Sequence, residues 1–486
     1  MSIKSSFIRK IERKAELKQI AKKEQEFEDT LAKYLRYDRK YLKEGDTKLT
    51  DEQKEIVDTY WKKYEFAFKA PYETYEAYMN RTGKFDVHYI PYGIRKGILK
   101  YYITDQDYHW AFQNKAYLDR FYDAKRHPKI ICRKVEGIYY DTNFKKISID
   151  EAVEICIETL KNKEIVIKPS GRSGGEGVVF LAEADADLIK KEFKKIPKLM
   201  VVQEAIKQHQ RMAELNPSTV NTVRLTTYLN DKEVIPLAAL VKIGNHEARV
   251  DNYKHGGHIL GIHLDGKSYP YALNVEYERV TKLPTGVDLS EGIEIPGFKS
   301  VLELATESHL KTPYIKLISW DIAINEDAQA VIIEANHSGD FRMHHALTGP
   351  LFGELTESFL DKYLVKTFFR ERANMEWNYN EYFDHVEMTK YAGFEKNVVV
   401  PAKINGKPVT TIKTNAFYEN EEVVSVKIPA SVEILGLRAF NNCKNLQHIV
   451  GGDNLRKMGD IVFSHTPLLS KEEKKRLRNI VKKNKQ

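Results

Sequence analysis

Apolar and polar positions alternate in three styles along the chain. Up to about residue 84 the charges fall on a helical period with few β-branched residues. There "LTDEQKEIVDTYWKKY" sets Thr50 and Gln53 at capping-box spacing, which predicts a helix start. From about 130 to 370 the style changes to short strand-like runs: "KIICRKVEG", "LMVVQEAI", "VNTVRLTTYL", "VIPLAALVKIG", "KLISWDIAI" and "AVIIEAN", with the helix "SIDEAVEICIETLKN" among them. This order predicts a mixed, largely antiparallel sheet in an α+β fold, not a βαβ series.

The third style is a repeat. "TNAFYENEEVVSVKIP" aligns with "LRAFNNCKNLQHIVGG", so Phe417 matches Phe440 and Val423 matches Leu446, with Phe463 and Leu469 one period on. A period of 23 residues predicts a short solenoid, in which one unit cannot bury its face and stacking makes the core. Ser470 and Glu473 form a second capping box, opening a basic tail helix (471–486) that would close the stack. The pattern over about 385–470 resembles the BspA-type leucine-rich repeat.

Composition sets the outer bounds. With 486 residues, 42% hydrophobic and 30% charged, the chain reads as two or three globular domains. No apolar run approaches the ~18 residues of a membrane span. The start "MSIKSSFIRKIERKAELKQIAKK" lacks the apolar region of a signal peptide, and Cys132, Cys156 and Cys443 have no metal-ligand or disulfide spacing. A cytoplasmic protein is expected. The net charge of +8 gathers at the two ends. Those ends read either as solvated helix faces or as a weak hold on anionic lipid or a polyanionic substrate, so membrane contact is at most peripheral. No recognition motif accompanies them, and nucleic acid is not an expected partner.

Two stretches carry candidate chemistry. "EIVIKPSGRSGGEGVVFL" (164–181) reads as strand, glycine-rich loop and strand. It lacks the Lys-Ser/Thr of a P-loop and the following helix of a dinucleotide site. What remains is a hairpin tip with Lys168 at its entrance, either an ordinary turn or a flap over a triphosphate. "SWDIAINEDAQAVIIEAN" (319–336) reads as a second hairpin about "NEDA". Centring it between Asp327 and Ala328 sets Asp321 opposite Glu334, with Asn336 on the same face. Opposed carboxylates repel, and a hard divalent cation between them, with Asn336 as a neutral oxygen ligand, would explain the pair.

A lysine-bearing hairpin, then Asp, then Glu-x-Asn resembles the order of the ATP-grasp family. "VVQEAIKQHQRMAELNPSTVNTVRLTTYL" and "IIEANHSGDF" resemble its sugar-transfer-associated branch, over about residues 85–372. The resemblance implies antiparallel sheets clamping ATP, a helical N-terminal region (1–84) in place of the usual small α/β domain, and a C-terminal solenoid. It implies ATP and Mg2+ as cofactors, with Lys115, Lys168, Ser173, Gly174, Gly175, Gln203, Glu204, Ile206, Asn221 and Arg224 at the nucleotide. Asp321, Glu334 and Asn336 would hold the metal, and Lys168 and Arg224 would act in catalysis. "VDNYKHGGHI", with Asn252, Gly256 and Gly257, reads equally as an acceptor-side loop or a plain turn. The implied activity is ligation of a carboxylate to an amine through an acyl-phosphate, with a sugar acid or polysaccharide precursor as one substrate. A sugar kinase or a non-catalytic nucleotide-binding repeat protein is the alternative. The repeats would offer a surface to a protein partner or a second copy.

Overall fold

Runs of Ile, Val and Leu broken by Gly, Asn and Asp turns build two antiparallel sheets between residues 130 and 336. The computed structural model describes residues 29–64, 70–105, 107–122, 126–170, 175–231, 233–245, 249, 256–337, 339–365, 377–393 and 395–484. The basic N-terminal stretch through residue 28, Ser173, Gly174 and Asn252 lie outside them. Contacts divide the chain into two units, one being Glu28–Leu360 and the other containing Asp361–Gln486. Among the described residues no helix is long and apolar enough to cross a membrane.

The first sheet holds β1 (Ile130–Val135), β2 (Ile138–Tyr140), β3 (Lys146–Ile147), β4 (Ile165–Pro169), β5 (Val179–Leu181) and β6 (Met200–Glu204), in the order β3-β2-β1-β6-β4-β5. Helices Ile149–Leu160 and Ala186–Lys195 cover one face, packing Val153, Cys156, Ile189 and Phe193 on Ile165, Ile167 and Val202. The second sheet holds β7 (Thr222–Leu229), β8 (Val234–Ile243), β9 (His258–Ile262), β10 (Ser268–Leu273), β11 (Arg279–Val280), β12 (Leu317–Ile324) and β13 (Ala330–Asn336), in the order β11-β10-β9-β8-β7-β12-β13. Helix Phe298–His309 covers it, meeting Val223, Leu225, Ile318, Trp320 and Ile322. Strand alternation therefore turns Arg224, Thr226, Ser319 and Asp321 to the opposite face.

The strands form two separate antiparallel sheets, as the family resemblance implies, and not the one sheet that their order alone suggests. The break follows β6, where residues 205–221 form a polar knot instead of a hairpin. Gln208 Nε2 donates to Thr219 O (2.6 Å), Asn216 Nδ2 to Gly244 O (2.9 Å), and Asn221 Nδ2 to Met212 O (2.7 Å). Upstream, the helix Asp51–Trp61 begins at the expected capping box, with Gln53 N donating to Thr50 Oγ1 and Thr50 N to Gln53 Oε1.

The second unit holds β14 (Trp377–Glu381), β15 (Val386–Tyr391), β16 (Asn397–Val399), β17 (Lys403–Ile404), β18 (Lys407–Ile412), β19 (Ser425–Ile428), β20 (Ile434–Leu435), β21 (His448–Gly451) and β22 (Lys457–Met458). Parallel ladders β18-β20-β22 and β16-β19-β21 wind it into a solenoid, with Ile434 paired to Lys457 and Ser425 to His448. Phe417, Phe440 and Phe463 stack with centroids 4.7 and 5.8 Å apart, as their spacing predicts. Left-handed residues recur at the same interval, at Asn415, Arg438 and Ile461 and again at Glu419, Asn442 and His465. Helix Lys471–Asn484 buries Leu477 and Val481. It also covers the open edge of β21: Arg476 donates to Ile449 O (2.7 Å) and Gly451 O (3.1 Å), and Ile449 N to Glu473 Oε1 (3.2 Å).

Candidate active site

On the first sheet the face away from the helices carries Val166 and Lys168 of β4, opposite Gln203 and Val201 of β6. Lys168 is the last residue but one of β4, ahead of the glycine-rich sequence, and Gly175 and Gly177 have φ of 77° and 76°, which favour glycine. Glu204 pairs with Ile165 on the other face and meets Lys129 at 3.0 Å, while Ala205 N and Glu204 N donate to Glu164 O and Lys129 O. Ile206, partly buried, leads the chain out of the sheet.

Lys115 sits in a short turn held over this sheet by a buried arginine. Arg133, 0% exposed, donates to Ala116 O (2.6 Å) and to both carboxylate oxygens of Asp119 (3.0 Å each), and stacks 4.1 Å from the Phe144 centroid. Asn114 Oδ1 accepts from Ala116 N (3.0 Å) and from Ser170 Oγ (2.7 Å), which ties the Lys115 turn to the end of the Lys168 strand. Lys115 Nζ then reaches Glu334 Oε1 of the second sheet at 2.9 Å.

Asp321 is the centre of the second sheet's polar face. β12 pairs it with Arg224 of β7 on one side and with Glu334 of β13 on the other, the latter as the hairpin's centring predicts. Arg224 donates through Nε to Oδ1 and through Nη2 to Oδ2, both at 2.8 Å. Lys242 Nζ (3.1 Å) and Asn336 Nδ2 (3.2 Å) also donate to Oδ2. Burial alone would raise the Asp321 carboxyl, but the charges and hydrogen bonds of Arg224 and Lys242 outweigh it and hold it well below the usual carboxylate range. A β-bulge separates Asp321 from Ile322, so the pairing beyond it runs one residue out of the simple hairpin register.

This geometry changes the argument for a metal. Each carboxylate has a protein cation beside it, Arg224 and Lys242 for Asp321 and Lys115 for Glu334, so repulsion does not by itself demand a divalent ion. The donor set still fits magnesium: two carboxylates and an amide, all hard oxygen donors, share one end of a hairpin.

Support comes from behind. Thr226 Oγ1 bonds Ser319 Oγ (2.8 Å) and His344 Nε2 (3.0 Å). Burial, with Arg224 nearby, pushes His344 down to about 3, so its ring is neutral at ordinary pH. Asn221, expected at the nucleotide, is 0% exposed and gives its amide to Gln208 Oε1 and to Met212 O and Asn216 O. Its side chain anchors the knot ahead of β7. Lys242, Arg133 and Arg249 are absent from the expected set. Lys242 was signalled as a charge inside the apolar run "VIPLAALVKIG". Arg249, between β8 and β9 in sequence, forms a bidentate pair with Glu164 (2.6 and 2.7 Å) and stacks 4.2 Å from the Phe180 centroid of the first sheet.

Two antiparallel sheets presenting lysines from one and an Asp, Glu and Asn hairpin from the other define an ATP-grasp fold. Residues 111–354 match the family described as sugar-transfer associated ATP-grasp, and the chain belongs to that family. Residues 398–483 match the BspA type leucine rich repeat region in six copies. Among solved structures, a T. pallidum leucine rich repeat protein is 33% identical over 19% of this chain and 45% of its own, with a TM-score of 0.19. The D-alanine-D-alanine ligase from Coxiella burnetii is 9% identical over 54% of this chain and 60% of its own, with a TM-score of 0.32. The ATP-grasp ligase PsnB, solved with a precursor variant, Mg and ADP, is 14% identical over 52% and 59%, with a TM-score of 0.29. This chain thus spans less than two thirds of the length of each. No curated protein matches it.

Proposed function

We propose that the protein is an ADP-forming, magnesium-dependent ligase that joins a carboxylate to an amine. The carboxylate belongs to a sugar acid or polysaccharide precursor, and an amino acid or other amine accepts it. The observation that supports this reading is the Asp321 cluster, in which Arg224, Lys242 and Asn336 converge on one buried carboxylate beside the Lys115–Glu334 pair.

In this reading Lys115 and Lys168 bind triphosphate oxygens, and Gln203, Glu204 and Ile206 receive the base and ribose. Arg224, locked by two bonds to Asp321, offers a fixed charge where phosphoryl charge develops. Asp321, Glu334 and Asn336 would hold magnesium, which would supply further positive charge against the triphosphate. The substrate carboxylate oxygen attacks the γ-phosphorus and ADP leaves. The amine nitrogen then attacks the acyl carbon, phosphate departs, and the nitrogen releases a proton to water. The residues position charge and exclude water, so no serine or cysteine nucleophile is needed. The solenoid serves as an interaction module for a partner protein, a second copy or a glycan, and the protein works in the cytoplasm.

The test is transfer of label. Sugar acids carrying 18O in the carboxylate are incubated with amino acids, MgATP and the protein. An amide product with label in the released phosphate is the expected result. Label retained in a phosphorylated product would assign a kinase instead.

A further inference from the structure

The tyrosine-rich stretch ahead of the first sheet contains an unevenly wound segment. It is α-helical over Tyr92–Ile94, π-helical over Arg95–Leu99 and α-helical again over Lys100–Ile103. Such π-turns occur frequently at functional sites, where the irregular turn re-aims the side chains it carries. Here it carries Arg95.

Arg95 is 1% exposed, and its Nε and Nη1 have no hydrogen-bond partner. Its guanidinium lies 5.6 Å from the Phe341 centroid. The acid in its neighbourhood, Asp340, is already engaged by Arg342, through Nε to Oδ1 at 2.9 Å and through Nη2 to Oδ2. Arg342 itself stacks 4.2 Å over Tyr92. Lys96, partly buried, adds a further positive charge: burial and then Arg95 lower its pKa to about 8. Once Arg342 and Asp340 are paired, positive charge is left over in a place where a buried guanidinium without a partner is destabilising.

One segment of chain joins this surplus to the site already described. Asp340 lies just beyond Asn336 in sequence, across a turn so tight that a Cβ at Gly339 would fall 2.4 Å from Ser319 Oγ. Phe341 opens the short helix Phe341–Leu347, whose His344 bonds Thr226 on the Asp321 face.

We propose that Arg95, flanked by Lys96 and Arg342, is the anchoring site for a carboxylate of the small-molecule substrate. The planar fork of a guanidinium matches the two oxygens of a carboxylate, and the unpartnered nitrogens are the donors such a group would use. The ligase reading supplies the identity of the substrate; the site itself stands on the local geometry.

Calorimetric titration of the full-length protein tests this, with D-glucuronate and acetate as carboxylates, D-glucose as the neutral control, inorganic phosphate as a competing anion, and magnesium AMP-PNP in a separate titration. The carboxylates should bind and glucose should not. Arg95→Met should weaken the carboxylates by about tenfold or more, the scale of a lost charged hydrogen bond. It should leave AMP-PNP affinity unchanged and the melting temperature equal or higher, since a buried charge without a partner is gone. Lys96→Met, at the less buried side, should weaken the same ligands more mildly and guards against a folding failure of the first variant. The proposal is overturned if the carboxylates do not bind, if they bind both variants as they bind the wild type, or if phosphate alone shows the Arg95 dependence. A lower melting temperature with carboxylates and AMP-PNP weakened alike would assign Arg95 a structural role and also overturn it. If the wild type binds carboxylates but not AMP-PNP, the ligase reading fails while this site stands.

Discussion

The ATP-grasp unit and the repeat unit hold together by opposite means. The first buries charge: Asp38, Arg95, Arg133, Lys242 and Asp321 are all within the buried set. Among the described residues beyond 377 the buried polar groups are the neutral Thr411, Asn420, Asn441 and Thr466. The ranges of interaction differ as well. Lys115 meets Glu334 across 219 positions and Arg224 meets Asp321 across 97, whereas Phe417, Phe440 and Phe463 stack one repeat at a time. Charges brought together from afar create a site that can act on a ligand but strain the fold when one partner is lost. Apolar groups repeated nearby create a stack whose parts are nearly interchangeable.

The sharpest way to break this contrast is to remove one charge from the cluster. Asp321→Ala leaves the buried Lys242 and the partly buried Arg224 without that carboxylate. It should abolish ATP turnover and cost about 3–5 kcal/mol in urea denaturation. Lys168→Ala and Glu334→Ala should instead keep the fold and lose roughly 100-fold or more in ADP release, the scale seen when a preorganised charge is removed. Wild-type ADP release in either variant would show the site to be misassigned.

In the repeats the equivalent blow affects stability alone. Phe440 is 0% exposed between Phe417 and Phe463, so Phe440→Ala should cost about 3–5 kcal/mol in that unit. AMP-PNP binding should be unchanged, and its loss would mean the repeats belong to the active site.

Acidity separates the units next. Burial raises the Asp38 carboxyl from 3.8 to about 6, against the opposing hydrogen bonds from Tyr92 N, Tyr78 and Thr74. The folded state therefore keeps a proton that the unfolded chain releases. The resulting stability is fully present below about pH 4 and is lost as pH rises through about 6, by something on the order of 3 kcal/mol. The difference in unfolding free energy between wild type and Asp38→Asn, followed from pH 4 to 7, should fall by that amount, while the repeat unit's transition stays level.

The smallest effect sharpens the account of the repeats. Ile461 is β-branched yet left-handed, with φ of 47°, at the position Asn415 fills two repeats earlier. Ile461→Asn should relieve about 1 kcal/mol of strain and raise the repeat unit's melting temperature.

The same contrast explains what could be read from sequence. The Phe417, Phe440 and Phe463 ladder was legible because its contacts repeat at the interval of the letters. Asp321 opposite Glu334 was legible only through the assumed centre between Asp327 and Ala328, one residue off the register next to the turn, an offset that the bulge makes up. The bulge beside it was not, since an extra residue among Ile332, Ile333 and their apolar neighbours leaves no mark. Lys242 stood out as a charge in an apolar run, but its partner did not, because that carboxylate lies 79 residues downstream on a strand whose neighbour no local pattern names. Arg95 was not legible, since its burial depends on Phe341 and Arg342, far along the chain.

The most direct measurement is a structure of the full-length protein with magnesium and AMP-PNP. The account predicts a metal bonded to oxygens of Asp321 and Glu334, with Lys115 and Lys168 on the triphosphate and Arg224 still joined to Asp321 beside the γ-phosphate. Nucleotide bound elsewhere, or a triphosphate remote from both lysines with Asp321 and Glu334 holding no metal, would contradict it.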